Sequence, residues 1–147
     1  MAVIKQIKLP SKGSPRRGGG RTQTWETVAV RYQELIEKYH WKYEPMLNLV
    51  EAIAASPVAK ELYPTTSMSH LLITDTEQFF RGDNVLVIVY DSDKHRFEFE
   101  HQTQSGKNDK KSCDEGEAMQ TLRLFLKYKF GVLFNPKQAR SERGLAS

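Results

Sequence analysis

Apolar residues recur at three- and four-residue steps over the first part of the chain. Trp25, Val28, Tyr32, Leu35, Ile36, Tyr39 and Tyr43 fall on one face of a helix that starts near Thr24. Glu34 and Lys38 form an i,i+4 pair in the favourable order on the opposite side. Pro45 cannot continue a regular helix, so the pattern predicts a break near Tyr43-Glu44. Met46, Leu49, Val50 and Ile53 then predict a second helix, ended by Ser56-Pro57, with one further turn over Val58 to Leu62. Tyr63 to Ser67 reads as a loop.

The period then changes from helical to alternating. His70 to Thr74 predicts a short first strand, and Gly82-Asp83-Asn84 is the turn signal that follows it. Val85 to Tyr90 is apolar on both faces, the mark of a central strand covered on both sides. Asp91 to His95 is a polar hairpin loop. Arg96 to Gln102 alternates, with Phe97, Phe99 and His101 on one face and Arg96, Glu98 and Glu100 on the other. That pattern predicts a half-exposed strand with an acidic solvent face. Gln104 to Ser112 reads as a soluble loop.

A last helix has a clear start and stop. Asp114 with Glu117 three residues on resembles a capping box, and Asp114, Glu115 and Glu117 suit the positive helix N-terminus. Met119, Leu122, Leu126 and Phe130 form its buried stripe, joined by Phe125, and Gly131 ends it. Val132-Leu133-Phe134 is expected to tuck back onto the core. The fold class is therefore α+β, in the order α-α-β-β-β-α: a helical segment, a three-stranded antiparallel meander and a C-terminal helix packed on the sheet.

Charge divides the chain. Lys5, Lys8, Lys12, Arg16, Arg17 and Arg21 are six positive charges in the first 22 residues, with no negative one. Gln23 to Asn135 holds 13 Lys/Arg against 17 Asp/Glu, so the basic character belongs to the ends. Pro10 to Arg21, with Gly18-Gly19-Gly20, reads as a linker, while Ala2 to Leu9 reads as an edge strand or as unstructured chain. The expected organisation is a flexible basic arm (1–22), one α+β domain (23–135) and a disordered tail (136–147). No run approaches a membrane span, and no apolar region follows the N-terminal basic residues. The single Cys113 cannot form an internal disulfide, which suits the cytoplasm.

Candidate chemistry is sparse. Lys12, Arg16, Arg17 and Arg21 resemble the Arg/Gly segments that bind nucleic-acid phosphates, although the arm has no aromatic residue to stack on bases. The order α-β-β-β-α resembles the double-stranded-RNA-binding domain in topology, with Lys110-Lys111 ahead of the last helix. Asp114, Glu115 and Glu117, however, stand where phosphates would dock. The same order resembles metal-dependent nucleases of the restriction-endonuclease type. That resemblance implies Asp83, Glu98 and Glu100 as metal-binding carboxylates, but the Glu-x-Lys lysine is missing. Asp91, Asp93 and His95 are better read as turn residues than as ligands, and no cofactor motif is present.

The expected function is binding of another protein, in the manner of an immunity protein, antitoxin or adaptor, without catalysis. The interface candidates are Trp41, which lies off the helical stripe, with Tyr43, Arg96, Glu98 and Glu100. The alternatives are a nucleic-acid accessory protein acting through the arm and Lys110-Lys111, and a nuclease-like domain. No membrane partner is expected.

Overall fold

The computed structural model describes residues 22–77, 84–103 and 108–135. Among them the order is α1 (Trp25–Tyr39), α2 (Glu44–Ala54), a 3-10 turn (Pro57–Lys60), β1 (Tyr63–Ser67), β2 (His70–Thr74), β3 (Asn84–Asp91), β4 (Arg96–Thr103), β5 (Asp109–Asp114) and a C-terminal helix, α3 (Ala118–Phe125). A 3-10 turn, Glu115–Glu117, precedes α3, and a π turn, Leu126–Phe130, extends it. The architecture is α+β, with three helices and an antiparallel sheet in the order β1-β2-β3-β4-β5.

The helices begin and end on the residues that the pattern marks. Thr24 caps α1 by accepting the Thr27 N–H, and Glu34 pairs with Lys38 at 3.8 Å. The break after α1 comes earlier than Pro45 requires. His40 adopts a left-handed conformation (φ 59°), and the N–H groups of His40 and Trp41 both donate to the Leu35 carbonyl. Pro45 instead sits in the first turn of α2, where the N–H it lacks has no helical partner. At the other end Asp114 accepts the Glu117 N–H at 3.1 Å, and Gly131 takes the left-handed stop (φ 71°). Val132 and Phe134 are buried behind it, whereas Leu133 is exposed.

Two segments expected as loops are strands, so the sheet has five strands rather than three. Tyr63–Ser67 pairs with β2 from Tyr63↔Thr74 to Ser67↔His70. It lacks apolar alternation because it is an edge strand. Pro64 is tolerated there because its carbonyl points outward, to the Gln23 N–H at 2.7 Å. Its missing N–H therefore costs no rung of the ladder. Asp109–Asp114 pairs with β4 from His101↔Asp109 to Arg96↔Asp114. Its exposed lysines and acidic ends hide it from pattern reading, yet such charges are how edge strands avoid pairing with other chains.

All three helices pack on one face of the sheet. Leu71 and Ile73 of β2, Leu86, Ile88 and Tyr90 of β3, Phe97 and Phe99 of β4 and Cys113 of β5 meet Val28, Tyr32, Leu35, Met46, Val50, Ile53, Leu122 and Leu126 there. The edges of this core are pinned by polar contacts. Trp25 Nε1 donates to the Leu62 carbonyl at 3.1 Å, and Lys129 ion-pairs with Asp109. The other face carries a separate small cluster, Leu72 and Val87 with Val85 and Val89, and no described helix lies on it.

Truncating the centre of the helical face is expected to be costly. Phe99 is fully buried and stacks on Phe125 with ring centroids 5.8 Å apart. Phe99→Ala is expected to lower the unfolding free energy by about 3–5 kcal/mol in urea titration. Tyr128→Ala, at a side chain 70% exposed, is expected to change it by less than about 0.5 kcal/mol.

Candidate functional site

Three turns meet at one end of the molecule: the α1–α2 connection, the β1–β2 turn and the β3–β4 turn. Tyr43 joins them. Its hydroxyl donates to the Tyr90 carbonyl at 3.1 Å and lies 3.4 Å from Ser69 Oγ, which can donate to it. Its ring stacks on Tyr32 (6.3 Å), meets Tyr90 edge-on (5.4 Å) and supports Trp41 (5.3 Å). Tyr32, fully buried, donates its hydroxyl to the Ser69 carbonyl at 3.0 Å. Burial, foremost, holds that hydroxyl far above the ordinary phenol range. Trp41 is thus 42% exposed but braced from beneath, with Met68 (65% exposed) at the neighbouring turn.

The described non-glycine residues with positive φ are His40, Met68 and His95, at 59°, 61° and 55°. Each lies in one of these three turns. Left-handed backbone is unfavourable for residues with a Cβ, and it persists where the surroundings hold it. Here the holding contacts are the α1 cap, the two tyrosine hydroxyls and a carboxylate.

That carboxylate is Glu115. One of its oxygens accepts both the Tyr90 hydroxyl and, at 2.9 Å, His95 Nδ1. The hydrogen bond from Tyr90, then that from His95, holds the Glu115 carboxyl below its usual range. Burial and the same contact push the Tyr90 hydroxyl up. The arrangement clamps the β3–β4 turn to the start of the last helix. Asp91 completes the turn by accepting the N–H groups of Asp93 and Lys94 at 3.0 and 3.2 Å, so Asp91 and Asp93 serve turn geometry.

The remaining interface candidates lie elsewhere. Arg96 is at the same end of the sheet as Trp41, but on the helix-free face, where its guanidinium donates to Ser112 Oγ at 3.2 and 3.3 Å. Glu98 is half-buried further along that face. Glu100, expected on a solvent face, is only 7% exposed. The reason is the added strand: β5 covers the outer edge of β4, so Glu100 sits between Val87 and Lys110 in the register instead of at a rim. One Glu100 oxygen accepts from Asn108 Nδ2 at 3.0 Å, and the other has no partner. Trp41 and Tyr43 therefore form one site, and Arg96, Glu98 and Glu100 belong to another.

Lys110 and Lys111 lie within β5 and not in a loop ahead of the helix, and strand alternation sends them to opposite faces. They form no joint phosphate clamp. Lys12, Arg16, Arg17, Arg21 and Asp83 lie outside the described residues. Among the described residues no three His, Cys, Asp or Glu side chains are placed to hold a metal ion. Cys113 is buried, and burial, foremost, pushes its thiol up, so the nearby helix start does not activate it. Among the described residues no helix is long and apolar enough to cross a membrane. Sequence reasoning missed Met68, Tyr90 and Glu115 as parts of the site, since only the tertiary contacts of Tyr43 and His95 bring them together.

Two buried imidazoles set an expected acid response. Burial holds both His70 and His101 below the usual histidine range, and for His101 the nearby Lys129 adds to the effect. On acidification through the unfolded value the unfolded chain therefore binds protons that the folded chain refuses, and stability falls. The slope is about 1.4 kcal/mol per pH unit for each excluded proton. Urea midpoints from pH 7.5 to 5 are expected to decline, and His101→Gln is expected to reduce that decline; an unchanged slope would contradict the assignment. No protein-family model matches the chain, and no curated protein or solved structure matches it either.

Proposed function

We propose that this protein binds another protein, without catalysis, through the end of the molecule formed by Trp41, Met68 and the β3–β4 turn. The observation that carries the reading is the state of Trp41: 42% exposed, yet supported by a Tyr43 ring whose hydroxyl is tied to two hairpins. A half-exposed tryptophan on a rigid support buries a large apolar area in a partner while losing little side-chain freedom. Met68, 65% exposed at the β1–β2 turn that Tyr43 ties down through Ser69, supplies an adaptable apolar contact. The clustering of the left-handed turns at this end adds to the case, because such backbone is retained where a surface must keep one shape.

The nucleic-acid reading is weaker on the described surface. Lys110 and Lys111 diverge, and Asp114, Glu115 and Glu117 gather at the start of the last helix. The nuclease reading would need a second acid beside Glu100, whose hydrogen-bond partner is Asn108.

Affinity capture with the full chain and with Trp41→Ala tests the proposal, followed by titration of any purified partner. Trp41→Ala is expected to leave the unfolding midpoint nearly unchanged and to weaken binding roughly thirtyfold, the effect of losing a hot spot of about 2 kcal/mol. Equal binding by both proteins would contradict the reading.

A further inference from the structure

One wall of a surface groove is α3 with the π turn that extends it, and the other is the chain that follows. Gly131 turns the chain back in its left-handed conformation, and the Val132 N–H donates to the Leu126 carbonyl at 3.1 Å. Val132 and Phe134 are then buried, at 8% and 2% exposed, while Leu133 between them is 77% exposed. Leu133 is thereby held outward by a buried neighbour on each side. Between it and the helix lies a groove of about 610 Å³. Met119, Gln120, Arg123 and Lys127 line the helical wall, since their spacing keeps them on one side of the helix. Leu133 and Phe134 line the wall opposite.

The groove is basic at one end. Arg123 and Lys127 stand one helical turn apart, and no acidic side chain among the described residues pairs with either. Arg123 Nε donates to Gln120 Oε1 at 3.1 Å, which orients the guanidinium and leaves its two Nη groups for a carboxylate. Lys127 Nζ lies 5.2 Å from the centre of the Tyr128 ring. Lys129 is already paired with Asp109 and takes no part. Acids gather toward the start of the helix, where Gly116 closes the groove. There Asp114 caps the helix, Glu115 is held by Tyr90 and His95, and Glu117 is exposed. A polyanion laid along the groove would meet those three carboxylates. A segment with an acid at one end and an apolar side chain beside it meets Arg123, Lys127 and the apolar wall instead. The sequence after Asn135 carries Lys137, Arg140 and Arg143 against Glu142, so the chain's own tail has the wrong sign for this groove.

We infer that this groove takes an acidic segment of a partner protein, with a carboxylate set against Arg123 and Lys127 and an apolar side chain seated between Met119 and Leu133. The charges fix the direction and register of the segment. The apolar contact supplies the buried area that two surface ion pairs alone lack. The groove shares no residue with the surface formed by Trp41, Met68 and the β3–β4 turn, and its occupancy does not rest on that reading.

A chemical-shift titration of the full chain tests this, because it reads weak binding directly. The probe is a short capped peptide in which two glutamates precede two leucines. Amide shifts are expected at Met119, Arg123, Lys127 and Leu133 but not at Trp41 or Val87, and binding is expected to weaken as salt rises. Arg123→Gln with Lys127→Gln is expected to weaken binding roughly tenfold, the worth of two surface ion pairs, and to remove most of the salt dependence. Leu133→Ser is expected to weaken binding and keep the salt dependence. These side chains lie at the surface, so the unfolding midpoints are expected to hold. Absence of shifts at the groove would overturn the proposal. So would equal binding of the same peptide with glutamines in place of its glutamates. A single-stranded oligonucleotide that shifts the same amides at lower concentration than the peptide would also overturn it, since the groove would then be a phosphate site.

Discussion

The Tyr43 hydroxyl is the contact on which the upper end of the molecule depends. Helices α1 and α2 pack on the sheet through side chains that any apolar group could partly replace. The bond from Tyr43 to the Tyr90 carbonyl, with Ser69 Oγ alongside, is directional, and it fixes where the helical pair stands relative to two hairpins. Tyr32 repeats the constraint one layer down through the Ser69 carbonyl. Without these bonds the α1–α2 connection would have no reason to hold Trp41 in one place. With them, the left-handed residues His40, Met68 and His95 become the turning points of a rigid surface.

A second constraint is the imbalance between the two faces of the sheet. A meander of five strands offers two faces, and the described helices occupy only one. The helix-covered face is a conventional core of aromatic and aliphatic residues. On the other face a short valine and leucine strip lies among Thr74, Glu100 and Gln102, which are as buried as the core yet incompletely bonded.

Much of this was legible in the chain. Period and capping located α1, α2 and the last helix, because Thr24, Asp114 and Gly131 act through local geometry. Strands β2, β3 and β4 were legible because each carries an apolar face. Strands β1 and β5 were not, since Tyr63–Ser67 and Asp109–Asp114 are edge strands whose identity comes from their partners' ladders and not from their own pattern. That omission produced the error at Glu100. Alternation correctly assigned it to the face opposite Phe99, but whether that face was open depended on the unseen fifth strand. Trp41 stood out because it left the helical stripe. Its companions Met68, Tyr90 and Glu115 carry no local signal, for they are joined only by contacts between distant parts of the chain.

Amide hydrogen exchange in Tyr43→Phe tests the central claim most directly. The substitution keeps the ring and removes only the hydroxyl. Loss of one such bond, worth about 1 kcal/mol, is expected to speed exchange roughly fivefold at Trp41, Ser69 and the β3–β4 turn. Val87 and Phe99 in the middle of the sheet are expected to keep their protection. An equal change throughout the chain, or none at the three turns, would show that Tyr43 does not organise this end of the molecule.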